Sequence, residues 1–417
     1  MKSKLLMIIK IGWLSIWRNK RRTLISLFSI VIGTGIPTFF VCVAWGFYAG
    51  LIDDVARLMA GHVTYEHVDY RNSPSNDLWV DDIKAINKAL NNNAEVLSTK
   101  QIVNLQGVAH TAKGSVGTAL MGIEPSKEIA VSFLPESIVE GEYLSEGDGR
   151  WVIIGNKLAE SLNVSVGKKF VFTTNDIKGE LVEELLRVKG IFKTGSKEID
   201  GHFVQSDINL ARMVAGLSSN DVSQLGIIVK NPDTHEQLLK ELQKTLAKKN
   251  GVFLSWQKIM PDVATTIRMD RTAISSIMVL LVVIVLFTMF STILMSTLER
   301  KREFASLLAI GTQQIELKLQ IFIETIIFGL IACPLGSLLG IGFAKWAEGH
   351  DFMDVVGGKV EDMSVGGFGM DTIITPLFSV PLILQISFFF FLAVQLLSIL
   401  PIYLISRISI TDELRSA

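Results

Sequence analysis

Leu298-Glu299-Arg300-Lys301-Arg302-Glu303-Phe304-Ala305-Ser306-Leu307-Leu308-Ala309-Ile310-Gly311 decides the fold class of this chain. The stretch leaves a charge-free apolar run, has the spacing of a short charged helix, and stops at a glycine before another apolar run begins. A hydrophilic helix set between two long apolar segments reads as a loop between membrane spans.

Working outward, the apolar residues cluster in the same way elsewhere. Thr23–Ile52, Thr272–Leu298, Thr325–Ala344 and Thr372–Ser406 carry no charge. A span needs about 20 apolar residues, and buried helices of soluble proteins rarely run that long without a charge. The 417 residues are 49% hydrophobic, with mean hydropathy +0.41, too apolar for an ordinary soluble chain. The predicted fold class is therefore membrane α-helical, with four transmembrane helices and a large α+β extracytoplasmic domain between helices 1 and 2.

Orientation follows from the basic residues. Lys2, Lys4, Lys10, Arg18, Lys20, Arg21 and Arg22 precede the first span with no acid among them. Arg300, Lys301, Arg302 and Lys318 lie between spans two and three, and Arg407 and Arg415 follow span four. The loop between spans three and four is acidic instead. The positive-inside rule then makes both termini cytoplasmic and exports the segment after span one. That first apolar run is too long for a signal peptide and has no small-residue cleavage site after it, so it reads as an uncleaved anchor. Cys42 and Cys333 both fall in spans, so no disulfide is expected in the exported domain.

The expected organisation is as follows. Residues 1–22 form an interfacial amphipathic helix, with Leu6, Ile9, Trp13, Ile16 and Trp17 at helical spacing. Helix 1 covers 23–52, the exported domain 53–271, helix 2 272–298, the charged helical loop 299–317 and helix 3 318–346. An outer loop 347–371, helix 4 at 372–406 and a cytoplasmic tail 407–417 complete the chain. Within the exported domain two β-α-β patterns flank the segment. They suggest a membrane-proximal subdomain of about 53–107 and 221–271, with a distal subdomain of about 108–220 inserted between them.

Catalytic chemistry is not expected. No G-x-x-x-x-G-K-[ST] loop, H-E-x-x-H or C-x-x-C occurs, so no catalytic, cofactor or metal residue is assigned. His62 and His67 are five apart on a predicted strand and point to opposite faces. Glu324 is the one charge inside an apolar segment. It reads either as a functional intramembrane acid or as an acid at the inner interface that reaches water or a basic partner, and the second reading is preferred. Gly329, Gly336 and Gly340 in span three have the spacing of a close helix contact. Phe39, Phe40, Trp45 and Phe47 form an aromatic-rich outer stretch of span one and are a candidate substrate cleft.

Glu299-Arg300-Lys301-Arg302-Glu303-Phe304 followed by Leu307-Leu308-Ala309-Ile310-Gly311 resembles the E-R-x-R-E-[FI]…L-x-A-[IM]-G coupling segment of MacB/FtsX-superfamily ABC permeases. Trp17-Arg18-Asn19-Lys20-Arg21-Arg22-Thr23 and Ile410-Thr411-Asp412-Glu413-Leu414-Arg415 resemble that family's approach to span one and its C-terminal ending. Val139–Leu144, Val152–Ala159, Val188–Phe192 and Glu198–Gly201 are similar to the LolC/LolE-like lipoprotein-releasing permeases. A departure is the segment between Phe172 and Arg187, which lacks a proline-rich hook insert for a carrier.

The resemblance implies a permease subunit of a bacterial inner-membrane ABC transporter. It would couple ATP hydrolysis on a separate cytoplasmic ATPase to extraction of a lipoprotein or another amphiphile from the outer leaflet. It further implies a second permease subunit (the same or a different chain), a periplasmic carrier or partner protein, ATP and Mg2+ on the ATPase only, and no nucleic acid. Glu299, Arg300, Arg302, Glu303, Phe304, Leu307, Ile310 and Gly311 would meet the ATPase, with Phe304 and Leu307 as apolar anchors. Cargo chains would enter between span one of one permease and span two of its partner. The alternative is an FtsX-like signalling subunit that regulates a periplasmic partner and moves no cargo. MacB-like efflux permeases carry their ATPase on the same chain, and this chain has none.

Overall fold

The computed structural model describes residues 20–72, 75–81, 83–246, 250–350, 364–365, 368–369 and 373–405. Most of the expected interfacial helix, most of the outer loop and the cytoplasmic tail lie outside the described residues. In chain order the elements are α1 (Lys20–Leu58), β1 (Val63–His67), α2 (Lys84–Asn91), β2 (Val96–His110), β3 (Ser115–Ile123) and α3 (Pro125–Val131). Next come β4 (Ile138–Gly141), β5 (Trp151–Gly155), α4 (Asn156–Leu162), β6 (Lys169–Asn175), β7 (Leu181–Phe192), α5 (Lys197–His202) and β8 (Phe203–Asp207). They are followed by α6 (Ile208–Ala215), β9 (Gln224–Val229), α7 (His235–Thr245), β10 (Gly251–Ser255) and α8 (Trp256–Ile259). The long α9 (Pro261–Leu298), the short α10 (Lys301–Ala309), α11 (Gln314–Ala347), the two-residue strands β11 (Ser364–Val365) and β12 (Phe368–Gly369) and α12 (Val380–Ile405) close the chain.

Among the described residues, four helices, α1, α9, α11 and α12, are long and apolar enough to cross a membrane. As helices, two of them extend beyond the charge-free runs. Helix α1 continues to Leu58 and α9 starts already at Pro261. The hydrocarbon limits where charges can sit, but it does not limit where helical hydrogen bonding can continue. Conversely, α12 begins only at Val380, with Pro381 in its first turn, where a missing N–H costs nothing.

The chain divides into two compact units. In the helical unit Ile30 and Val31 of α1, Met289 and Ile293 of α9, Ala332 and Cys333 of α11, and Phe390 and Val394 of α12 form one core. The small residues of α11 set the spacing. A Cβ at Gly336 would stand 2.5 Å from Val31 O, and one at Gly340 the same distance from Gly35 O. Backbones this close leave no room for any side chain, so α11 runs tight against α1. Gly329 faces elsewhere, toward Phe391 and Gln395 of α12.

The second unit, built on Tyr48–Asp270, is a ten-stranded mixed sheet. Its order is β10-β1-β9-β2-β3-β8-β5-β7-β4, with β6 joined to β2 and β7. The two flanking β-α-β patterns meet in it, because β1 lies between β10 and β9, antiparallel to both. The expected division near 107/108 falls inside this sheet. It cuts β2, which pairs with β9 through Val96–Ile102 and with β3 through Val103–His110. One strand serves both halves, and one hydrophobic core that includes Val63, Leu105, Phe172, Ile227 and Phe253 runs through them.

Candidate functional site

The charged segment is built from three local signals. Helix α9 ends at Leu298, and a turn follows in which Arg300 N donates to Thr297 O at 3.2 Å. Arg300 caps α10 and its carbonyl takes the Phe304 N–H at 3.0 Å. At the far end Gly311 takes φ +102, with its N–H on Leu308 O and the Thr312 N–H on Leu307 O. That pair of bonds is a Schellman closure, which needs the left-handed conformation that glycine adopts without strain. Two residues later Gln313 and Glu316 form a capping box that starts α11.

Side chains then divide α10 into two faces. On the inner face, Arg300 Nη1 donates to Glu324 Oε2 at 2.6 Å. Its Nε reaches Glu303 at 3.2 Å, and the guanidinium lies 4.9 Å from the centre of the Phe304 ring. Glu324 also accepts from Gln320 Nε2 at 3.2 Å, one helical turn back. Arg300 and Glu324 are both buried. Phe304 is 0% exposed, packed with Leu317 and Ile321 of α11, Leu308 of α10 and Ile402 of α12. A cavity of about 40 Å³ lies among Ser26, Thr297, Arg300, Phe304, Glu324 and Thr325.

Two expectations change. Phe304 is not an anchor offered to a partner, because its ring already fills a pocket of its own chain; a residue in an amphipathic helix cannot serve both faces. Of Glu324's two readings, the structure favours the partnered one, and the partner is Arg300. Sequence spacing could not reveal that pairing, since it joins residues on either side of α10. The Gln320–Glu324 repeat of one helical turn was the available hint.

On the outer face Leu307 is 37% exposed and Ile310 83%, and Ile315 at the start of α11 is exposed as well. Glu299 is exposed. The side chain of Arg302 lies outside the described residues.

The aromatic stretch of span one is only partly brought together. Phe39 and Phe40 meet edge to face at 5.4 Å. They line an apolar groove with Gly35 and Ile36 of α1 and Leu339, Phe343 and Trp346 of α11. Trp45 does not join them; its ring carries the Arg271 guanidinium at 4.9 Å. Phe47 is half-buried and lies outside the groove lining. The groove wall contributed by α11 was missed in the sequence, because residues three hundred positions apart share no periodicity.

Residues 23–245 match the MacB-like periplasmic core domain, and residues 275–410 match the FtsX-like permease C-terminal domain. Among curated proteins the chain is 22% identical over 300 residues to the lipoprotein-releasing system transmembrane protein LolC of Neisseria meningitidis, which covers 69% of each chain. It is 20% identical over 356 residues to an uncharacterized ABC transporter permease of Methanocaldococcus jannaschii, with 82% of this chain and 84% of the relative covered. Among solved structures it is similar to the periplasmic region of MacB from Actinobacillus actinomycetemcomitans (15% identity, TM-score 0.35, 51% of this chain and 98% of the other). It is also similar to the extracellular domain of the transporter YknZ from Gram-positive bacteria (18% identity, TM-score 0.33, 46% and 98%).

Proposed function

This chain belongs to the MacB/FtsX-type ABC transporter permeases, and we propose that it is the non-catalytic half of a transporter whose ATP is hydrolysed on a separate cytoplasmic subunit. It is a multi-pass membrane protein with a large extracytoplasmic domain. ATP and Mg2+ belong to the partner, which docks on α10. A second permease subunit completes the assembly, and both termini face the cytoplasm.

The observation that carries this reading is the division of α10. Its outer face offers Leu307 and Ile310 to a partner, whereas Phe304 and the Arg300–Glu324 pair lock its inner face to α11. A push on the outer face therefore cannot be absorbed by rolling α10; it displaces the start of α11. A few side chains that become fully desolvated on docking carry most of the energy of such a contact.

For cargo, the reading is a lipoprotein or another amphiphile drawn from the outer leaflet. The Neisseria relative's name supports the class, and the apolar groove at Phe39, Phe40, Phe343 and Trp346 supports an acyl-sized site. The β6–β7 connection argues against a carrier hook, because Asn175 pairs directly with Leu181 and the tight turn between them holds Asp176 N on Glu180 O.

The experiment is a substitution that spares the inner face. Ile310→Asp leaves expression and thermal unfolding unchanged, abolishes ATP-driven cargo release in proteoliposomes, and removes a photo-crosslink from position 307 to the ATPase. Normal release by Ile310→Asp, with the crosslink intact, would sink the docking assignment. A crosslink to the ATPase without any ATP-dependent release of lipopeptide would leave the signalling role instead.

A further inference from the structure

A cation held by a buried carboxylate meets the backbone at the end of α1 and again just before the start of α9. Helix α1 runs out at Leu58, and its last four carbonyls need partners that the helix cannot supply. Met59 N takes Val55 O at 3.1 Å and Gly61 N takes Ala56 O at 2.7 Å. The remaining two, Arg57 O and Leu58 O, accept from Lys100 Nζ at 2.6 and 3.1 Å. Lys100 stands on β2 and is 1% exposed, an unusual place for an ammonium. It is held there by Glu128 of α3, itself buried, through contacts of 3.0 and 3.2 Å. A cation at a helix C-terminus also sits at the negative end of the helix dipole.

The second connection repeats the scheme. Short helix α8 leads into α9 at Pro261, which has no N–H to continue the ladder. Arg71 Nη1 donates to Ile259 O at 3.0 Å, two residues before that proline. Its Nε and Nη2 form a fork on Glu66, both at 2.7 Å. Glu66 is 0% exposed on β1 and also accepts from Gln224 Nε2 of β9 at 2.7 Å. A bidentate fork fixes direction as well as distance.

We propose that Lys100–Glu128 and Arg71–Glu66 are paired clamps: each buried carboxylate aims a cation at backbone carbonyls beside the sheet, so that the last turn of α1 and the lead-in to α9 are held fixed to the sheet. A simple ion pair for stability would not need this arrangement, since buried pairs contribute little over apolar replacements. A cap alone would need only an uncharged donor at the two carbonyls, not a buried ammonium held by a buried carboxylate. These are positioning residues. Their role in force transmission rests on the mechanical reading above, but their effect on the joints does not.

The test is hydrogen exchange on the full chain in lipid nanodiscs. Lys100→Met with Glu128→Leu removes the first pair without leaving a lone buried charge. Exchange of the Met59 and Gly61 amides rises roughly tenfold, while amides at 256–264 and in β5 stay at wild-type rates. Arg71→Gln with Glu66→Gln produces the reverse pattern, with faster exchange at 256–264 only. Lys100→Arg keeps donors at both carbonyls and restores protection, which also serves if the double variant does not fold. In the assembled transporter the Lys100→Met, Glu128→Leu variant keeps ATP turnover within about twofold while cargo release falls roughly tenfold. Unchanged exchange at the joints, or a rise spread evenly over joints and sheet, would overturn the clamps. Local exchange changes with unaltered release would confine them to stability and overturn their part in transmission.

Discussion

The helical unit and the α/β unit solve opposite problems with the same residue types. In α9, Ile277, Val279, Leu280, Val283 and Phe287 are all more than half exposed, while in the α/β unit Val63, Tyr65, Ile227 and Phe253 are buried. Thr34, Thr38, Ser337 and Ser398 lie inside the helical unit instead. Thr34 and Thr38 satisfy themselves by donating to Ile30 O and Thr34 O, one turn back. In lipid an apolar side chain gains nothing by facing inward, so close backbone approach and polar pairing take over the work of specificity. In water the inward drive is the hydrophobic effect. Both units bury an ion pair, but for different purposes: Arg300–Glu324 joins side chains of α10 and α11, while Lys100 with Glu128 caps backbone.

The largest effect that tests this comparison is on Glu324. Glu324→Leu leaves Arg300 buried without its nearer carboxylate and costs about 3–5 kcal/mol, read as a lower unfolding midpoint in detergent. Arg300→Met with Glu324→Leu recovers most of that loss. If the single and double variants are equally unstable, the pair is not the inner lock described here.

Phe304→Ala comes next, at about 3 kcal/mol for a fully enclosed ring. The same measurement distinguishes the two faces of α10. A Phe304→Ala variant as stable as wild type would restore that ring as a docking anchor and reverse the correction made above.

Gly340→Ala sharpens the contrast between close approach and area. The added methyl meets Gly35 O and Thr38, and the cost is about 1–3 kcal/mol despite the extra apolar surface. Stabilisation by this substitution would mean that α1 and α11 are not held at backbone contact.

The smallest effect is expected on the exposed face of α9. Leu280→Ala changes stability by no more than about 0.5 kcal/mol, because the side chain leaves one apolar environment for another. A loss of core size, about 2 kcal/mol or more, would show that this face is covered by protein.

Much of this molecule was readable beforehand. The charge-free runs marked four spans because hydrocarbon excludes charge whatever the packing. The two β-α-β patterns at the flanks of the exported domain were legible from alternation and period. Helix α10 was legible because a charged run closed by Gly311 is a local signal. What escaped was which face of α10 each residue takes. Phe304 and Leu307 are one turn apart, and either could have pointed inward.

The number of spans, the helix-and-strand alternation of the large domain and the family could be read from the chain alone, since each rests on composition, period or short motifs within a window. It took the packed fold to bring Arg300 to Glu324, to set Lys100 and Arg71 against helix-end carbonyls far away in the chain, and to place Phe40 in a groove with Phe343. Those pairings depend on how long elements return past one another. A buried charge has to find a partner, but nothing in its own neighbourhood of sequence says where that partner stands.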